Sequence, residues 1–258
     1  MPSVLFEIKN NVGIITFNRP EKLNSFIREM ALLFQQKLDE CNDDKNIRAV
    51  YITGAGKAFS AGQDLAEAVE ENGPGMNKIL SEHYNPIITK ITNLQKPVIA
   101  AVNGVAAGAG ANIALCCDVV VAGESAFFIQ AFSKIGLIPD SGGTFFLPRL
   151  IGFQKASALM MLGDKISAAE AEKLGMIYKI FSDENFFKES FRLAETLAQM
   201  PTRGLYFTKK ALQLSYNNSL ERQLEVEDEL QQKAAATKDF REGVQSFLEK
   251  RKPNFKGE

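Results

Sequence analysis

The chain has 258 residues, 45% of them hydrophobic and 24% charged, with a formal net charge of −1 at pH 7. That length supports one large domain, or one domain with an appended helical segment, and a sizeable core. The near-neutral balance offers no global field for nucleic acid or an anionic membrane. The single histidine, His83, excludes a multi-histidine metal site. The three cysteines, Cys41, Cys116 and Cys117, make neither a disulfide framework nor a zinc spacing, which suits a reducing compartment. The opening "MPSVLFEIKNNVGIITFNRP" lacks the basic head and apolar core of a signal peptide. No run reaches the ~18 apolar residues of a membrane span. A cytoplasmic location is expected.

Strands are predicted at residues 4–8 and 12–17 around Asn10-Asn11, and at 49–53, 98–102, 119–122 and 176–181, all rich in Val, Ile, Phe and Tyr. A helix is predicted from 25 to 42, with an apolar stripe of Phe26, Met30, Leu33, Leu38 and Cys41. Ser25 is its expected cap, with Glu29 in the first turn. Further helices are expected at 86–94 and 108–117. "DENFFKESFRLAETLAQM", "TRGLYFTKKALQLSY", "SLERQLEVEDELQQKAAATK" and "DFREGVQSFLEKR" then all carry helical spacing. The pattern is an α/β core to about residue 182 followed by a helical region, 183–258, with no long linker between them. The late helices pack either on the core or on another subunit.

Two glycine-rich stretches each follow a strand: "GAGKAFSAGQDL" (54–65) and "VNGVAAGAGANIALCCD" (102–118). Neither is a nucleotide loop. Tyr51 stands where a P-loop needs its first glycine and Ala58 follows Lys57. Ile113 stands where a dinucleotide fingerprint wants Gly or Ala. Small residues there either let backbone amides approach a ligand oxygen, as in an oxyanion hole, or serve tight helix–strand packing; the pattern allows both. In "SKIGLIPDSGGTFF" (133–146), Asp140 is flanked by turn formers, so a turn is the first reading of that acid.

"NRPEKLNSF", "GKAFSAGQDL", "KPVIAAVNGVAAGAGANIALCCDVVVAGESAFF", "KIGLIPDSGGTFFLPRLIG" and "EGVQSFLEKRKPNF" resemble, in order and over essentially the whole chain, the crotonase (enoyl-CoA hydratase/isomerase) family. The resemblance implies a spiral of repeated ββα units over 1–182. It implies a C-terminal helical trimerisation region over 183–258, in a homotrimer or a hexamer built as a dimer of trimers. It also implies an acyl-CoA substrate, with coenzyme A as part of the substrate and no tightly bound cofactor. The amides of Gln63 and Ala109 would bind the thioester oxygen. Lys22, Leu23, Ala61, Asp64, Leu65, Phe247 and Lys250 would contact coenzyme A. Phe247 and Lys250, three apart, would share one helix face.

The departures from the family pattern carry equal weight. Family hydratases place two glutamates where this chain has Asn112 and Phe132, and related isomerases place an aspartate where it has Asp140. The resemblance therefore points to an acyl-CoA isomerase, with Asp140 moving a proton on an enolate held by Gln63 and Ala109. Burial beside Phe132, Phe145 or Phe146 would raise the Asp140 pKa. The alternatives are an enoyl-CoA hydratase using another residue and, more remotely, a non-catalytic RNA-binding member. The latter would need a basic cluster, for which only "LEKRKPNFK" offers material. His83 is expected to be polar decoration, and Tyr84 is a candidate for the acyl pocket wall.

Overall fold

The computed structural model describes residues 1–71 and 73–258. Its frame is a six-stranded sheet of β1 (Val4–Lys9), β2 (Val12–Phe17), β3 (Ala49–Gly54), β5 (Val98–Val102), β7 (Val119–Gly123) and β10 (Lys179–Phe181), paired in that order. β1 and β2 form an antiparallel hairpin; every later pair is parallel. Asn10 and Asn11 both have positive φ (52° and 62°), the backbone that a two-residue hairpin turn demands. A second sheet runs β4 (Ala58–Ser60), β6 (Val105–Ala107), β8 (Phe127–Ile129) and β9 (Lys165–Ser167). Thus β3–β4, β5–β6 and β7–β8 each send one strand to each sheet. This is the spiral of ββ units expected from the sequence.

Period-two alternation assigns the faces of the large sheet. Ile15, Phe17, Val50, Ile52, Val98, Ala100, Val102, Val120 and Ala122 enter the main core. The intervening Val12, Ile14, Ala49, Tyr51, Ile99, Ala101 and Val121 pack on the other face with α9 (Phe186–Ala198). Both faces are covered, as parallel sheets require. Phe17 centres an aromatic cluster, its ring edge-on to Phe26, Phe34 and Phe59 at 5.0, 5.0 and 5.3 Å. Each such buried side chain stabilises the fold by about 1.5–3 kcal/mol.

The first helix, α1, spans Arg28–Asp43, not 25–42. Its N-cap is Ile27, with no side-chain cap. The expected cap does not form because Ser25 is engaged elsewhere, accepting from Arg19 and donating to Asp64 Oδ2, both at 3.4 Å; Glu29 meanwhile accepts from Ser3. Two short helices, α2 (Leu65–Ala68) and α3 (Gly75–Lys78), lead into a π-turn (Ile79–Tyr84) and α4 (Asn85–Asn93). α5 spans Ala109–Leu115, with α6 (Gly143–Ile151), α7 (Phe153–Leu162) and α8 (Ala168–Lys173) after it. α10 (Thr202–Ser215), α11 (Leu220–Ala235) and α12 (Lys238–Leu248) close the chain. α10 is pinned to the core by Lys209, whose ammonium reaches Asp118 Oδ2 at 2.9 Å and the Ile91 carbonyl at 2.8 Å.

Candidate active site

β4 and β6 lie side by side and parallel, with Ala58 opposite Val105 and Ser60 opposite Ala106. The loops that leave them are therefore neighbours. A Cβ built on Gly62 would stand 2.9 Å from the Ala107 oxygen and 3.3 Å from the Ala109 nitrogen. With φ at +87° as well, position 62 tolerates only glycine. Phe26 N–H donates to the Gly62 carbonyl at 2.7 Å and Asp64 N–H to the Phe26 carbonyl at 2.8 Å. These bonds fix Gln63 on both sides while leaving its own N–H unspent. Gly108 N–H is tied to the Ile129 carbonyl at 2.9 Å, and Ala109, next along, opens α5. Among the described residues, neither the Gln63 nor the Ala109 N–H has an acceptor. Two unsatisfied amides on adjoining, rigidly held loops can receive one anionic oxygen.

Asp140 stands in the turn before α6, half-buried. Its carbonyl accepts from Gly143 N–H at 2.8 Å, so it does make the turn. Its carboxylate accepts from the Ser141 hydroxyl at 2.8 Å. Burial raises its pKa above the ordinary aspartate value, with the Ser141 bond opposing that rise. Of the three phenylalanines considered, Phe146 comes against the neighbouring Gly142, within 2.8 Å of where its Cβ would lie. Phe132 packs toward Gly108, while Phe145 is partly exposed and stacks with Arg149 and Tyr216.

Tyr84 braces the amide side. It is fully buried, and its hydroxyl donates to Gln63 Oε1 at 3.0 Å. Its pKa is pushed well above the usual phenol value, first by burial and then by the Asp140 charge. Gln63 Nε2 in turn donates to Glu67 Oε2 at 3.0 Å. Asn112, one turn beyond Ala109 on α5, donates to the Asp140 carbonyl at 2.8 Å and accepts from Gln130 at 2.8 Å. The sequence signal for this pair was a lone amide inside each of two apolar runs, "AGANIAL" and "AFFIQAF", since buried polar groups are nearly always partnered. His83 is buried, its Nε2 3.3 Å from the Arg28 guanidinium, and burial lowers its pKa.

The expected coenzyme A residues fall into two groups. Ala61 N–H donates to the Leu23 carbonyl at 2.9 Å, bringing Lys22 and Leu23 beside the Gln63 loop. Asp64 pairs with Arg19 at 3.1 Å and caps α2 through Ala66 N–H; Leu65 is exposed beside it. Phe247 and Lys250 lie apart. The expectation of one shared helix face fails, because α12 ends at Leu248 and Lys250 has a left-handed backbone (φ 56°). Among the described residues, no hydrogen bond or ion pair joins 238–258 to 19–26 or 60–65. That segment is latched instead by Arg48 and Asp239. A surface groove between α10 and α11 has none of Asp140, Gln63 and Ala109 in its lining. Among the described residues, no cluster of three or more potential metal ligands occurs and no helix is long and apolar enough to cross a membrane.

The two-sheet spiral with its amide-bearing loops and terminal helices defines a crotonase-like protein. A structure from Mycobacterium abscessus, titled as a putative enoyl-CoA hydratase/isomerase, superposes with a TM-score of 0.93 at 36% identity, covering 98% of each chain. The enoyl-CoA hydratase/isomerase family profile matches residues 7–258, and the chain belongs to that family. It is 44% identical to the 1,2-epoxyphenylacetyl-CoA isomerase of Escherichia coli K12, over 100% of this chain and 99% of that one. It is 41% identical to a probable enoyl-CoA hydratase of Rhodobacter capsulatus, over 99% and 98%. A trans-2-decenoyl-[acyl-carrier-protein] isomerase of Streptococcus mutans is 36% identical over 98% of each chain.

Proposed function

We infer that the protein is an acyl-CoA isomerase in which Asp140 carries a proton between carbons of a thioester enolate. The observation that carries this reading is the pairing of one half-buried carboxylate with two unspent amides, while Asn112 and Phe132 occupy positions where two-carboxylate hydration would need acids. Proton removal next to a thioester places negative charge on its oxygen. The Gln63 and Ala109 amides receive that charge without reorganising, and each such donor is worth roughly 2.7–4 kcal/mol. Because isomerisation conserves the proton, a single base serves both transfers, contributing about 10²–10⁴-fold. The raised pKa of Asp140 makes it a stronger base than a free aspartate.

The substrate in this reading is a ring-epoxidised phenylacetyl-CoA, a 3-enoyl-CoA, or both, in line with the isomerase names among the relatives. Lys22, Leu23, Ala61, Asp64 and Leu65 would contact coenzyme A from within the chain, and Phe247 and Lys250 would reach it from a neighbouring subunit. A trimer or hexamer fits the exposure of Ile138, Phe153 and Met161, apolar residues that a lone subunit leaves in water. A cytoplasmic location and the absence of a tightly bound cofactor complete the reading.

The second reading, an enoyl-CoA hydratase, is favoured by the name of the Rhodobacter relative. Assays with crotonyl-CoA and a 3-enoyl-CoA separate the two. Double-bond migration without water addition is expected; rapid hydration of crotonyl-CoA with no migration would overturn the isomerase assignment.

A further inference from the structure

Asn112 is fully buried on α5 between Ala111 and Ile113, yet both ends of its amide are spent. Nδ2 donates to the Asp140 carbonyl and Oδ1 accepts from Gln130 Nε2, each at 2.8 Å. Gln130 is buried at the end of β8; Asp140 immediately precedes the turn into α6. One side chain therefore joins the entry and the exit of residues 130–140, whose middle, 133–138, is exposed.

That loop needs fastening. Ser141 and Gly142 have successive left-handed backbones, φ 51° and 73°. A non-glycine residue in that region persists only where its surroundings over-determine it. The space around Asn112 is shaped for the contact. A Cβ on Gly143 would come within 2.4 Å of Asn112 Nδ2, so glycine at 143 leaves room for the amide. The position also requires an amide by chemistry, with a donor facing the Asp140 carbonyl and an acceptor facing Gln130. A carboxylate is acceptor-only and would set oxygen against oxygen.

We propose that Asn112 is a positioning residue that aims the Asp140 carboxylate by clamping its main-chain oxygen, with Gln130 holding the Asn112 amide in the required orientation. The proposal rests on reading Asp140 as the proton carrier. Its effect is on geometry at the reacting carbons and not on affinity for coenzyme A, because Asn112 bonds the Asp140 main chain and Gln130 and none of the expected coenzyme A residues. Misplacement of a catalytic group by about 1 Å can cost about 10²-fold.

The test compares wild type with Asn112→Asp, Gln130→Ala and Asp140→Asn as full-length proteins. Steady-state isomerisation of a 3-enoyl-CoA is measured well below each thermal midpoint. Asn112→Asp should lower kcat about tenfold or more with KM within about twofold, and Gln130→Ala should lower kcat about threefold at constant KM. A merely structural role would lower the thermal midpoint and leave kcat per folded enzyme intact; that result overturns the proposal, as would a loss appearing in KM. If Asn112→Asp does not fold, Gln130→Ala decides by the same split. An inactive Asp140→Asn beside an unimpaired Asn112→Asp removes the positioning role alone. A wild-type kcat in Asp140→Asn, or no turnover by wild type of either a 3-enoyl-CoA or a ring-epoxidised phenylacetyl-CoA, removes the isomerase reading and this proposal with it.

Discussion

The two sides of the candidate site are built by different means. The amide side, Gly62–Gln63 and Gly108–Ala109, hangs from parallel strands and is framed by main-chain bonds from Phe26, Asp64 and Gly108. The acid side, residues 130–143, is a short 3-10 turn (Ala131–Ile135) followed by a loop, and its few main-chain bonds are supplemented by the side chains of Asn112, Gln130 and Ser141. The contrast teaches where each function is vulnerable. A main-chain donor is immune to most substitutions at its own position and sensitive to crowding of its neighbour. A side-chain base is sensitive to its own replacement and to the loss of whatever aims it.

The largest expected effect breaks the acid side outright. Asp140→Asn should lower kcat by about 10²–10⁴-fold with little change in KM, measured by steady-state isomerisation. The same substitution should stabilise the fold. Burial raises the folded-state pKa of Asp140, so its ionised form costs stability at neutral pH. The gain in thermal midpoint should be present at neutral pH, shrink as pH falls through the raised folded-state pKa, and vanish below the ordinary aspartate value, where wild type is protonated in both states. In wild type the acid limb of kcat/KM should accordingly lie above that ordinary value.

Next in size is damage to the amide side through its neighbour. Gly62→Val forces a side chain toward the Ala107 oxygen and the Ala109 nitrogen at a φ of +87°. It should cost about 10²–10³-fold in kcat, the effect of losing an oxyanion donor. Smaller again is Tyr84→Phe, which removes the hydroxyl that holds the Gln63 side chain. A loss of about 0.5–1.5 kcal/mol in unfolding free energy and a few-fold loss in kcat are expected. The smallest effect sharpens the comparison most. Gln63→Ala keeps the main-chain N–H, so kcat should stay within about threefold of wild type. A hundredfold loss there would transfer the role from backbone to side chain.

Legibility in the sequence followed the same divide. Runs of Val, Ile and Phe with clear flanks gave five strands of the large sheet to within a residue: β2, β3, β5 and β7 are buried on both faces, and the mostly exposed β1 is marked off by the Asn10-Asn11 turn. The last strand came out shorter, at Lys179–Phe181. The small sheet was not seen, since strands of three residues such as Ala58–Ser60 and Phe127–Ile129 are too short to establish a period. The amide loops were visible as glycine clusters after strands, and Asp140 as an acid among turn formers; their chemical reading came from family resemblance. The Asn112–Gln130 clamp left only two lone amides in apolar runs as a trace, and its partners could not be read because its bonds span 18 and 28 residues and exist only once α5, β8 and the α6 turn are assembled. Ser25 failed as a cap for a similar reason, drawn into contacts with Arg19, six residues away, and with Asp64, 39 residues away.

The central claim is that one carboxylate ferries hydrogen across the bound thioester. It is tested most directly by following ¹H/²H exchange at the acyl α and γ carbons of a 3-enoyl-CoA in deuterated buffer, with wild type and Asp140→Asn side by side. The account predicts exchange at both carbons in wild type and near-complete loss in the variant. Equal exchange rates in the two proteins would contradict it.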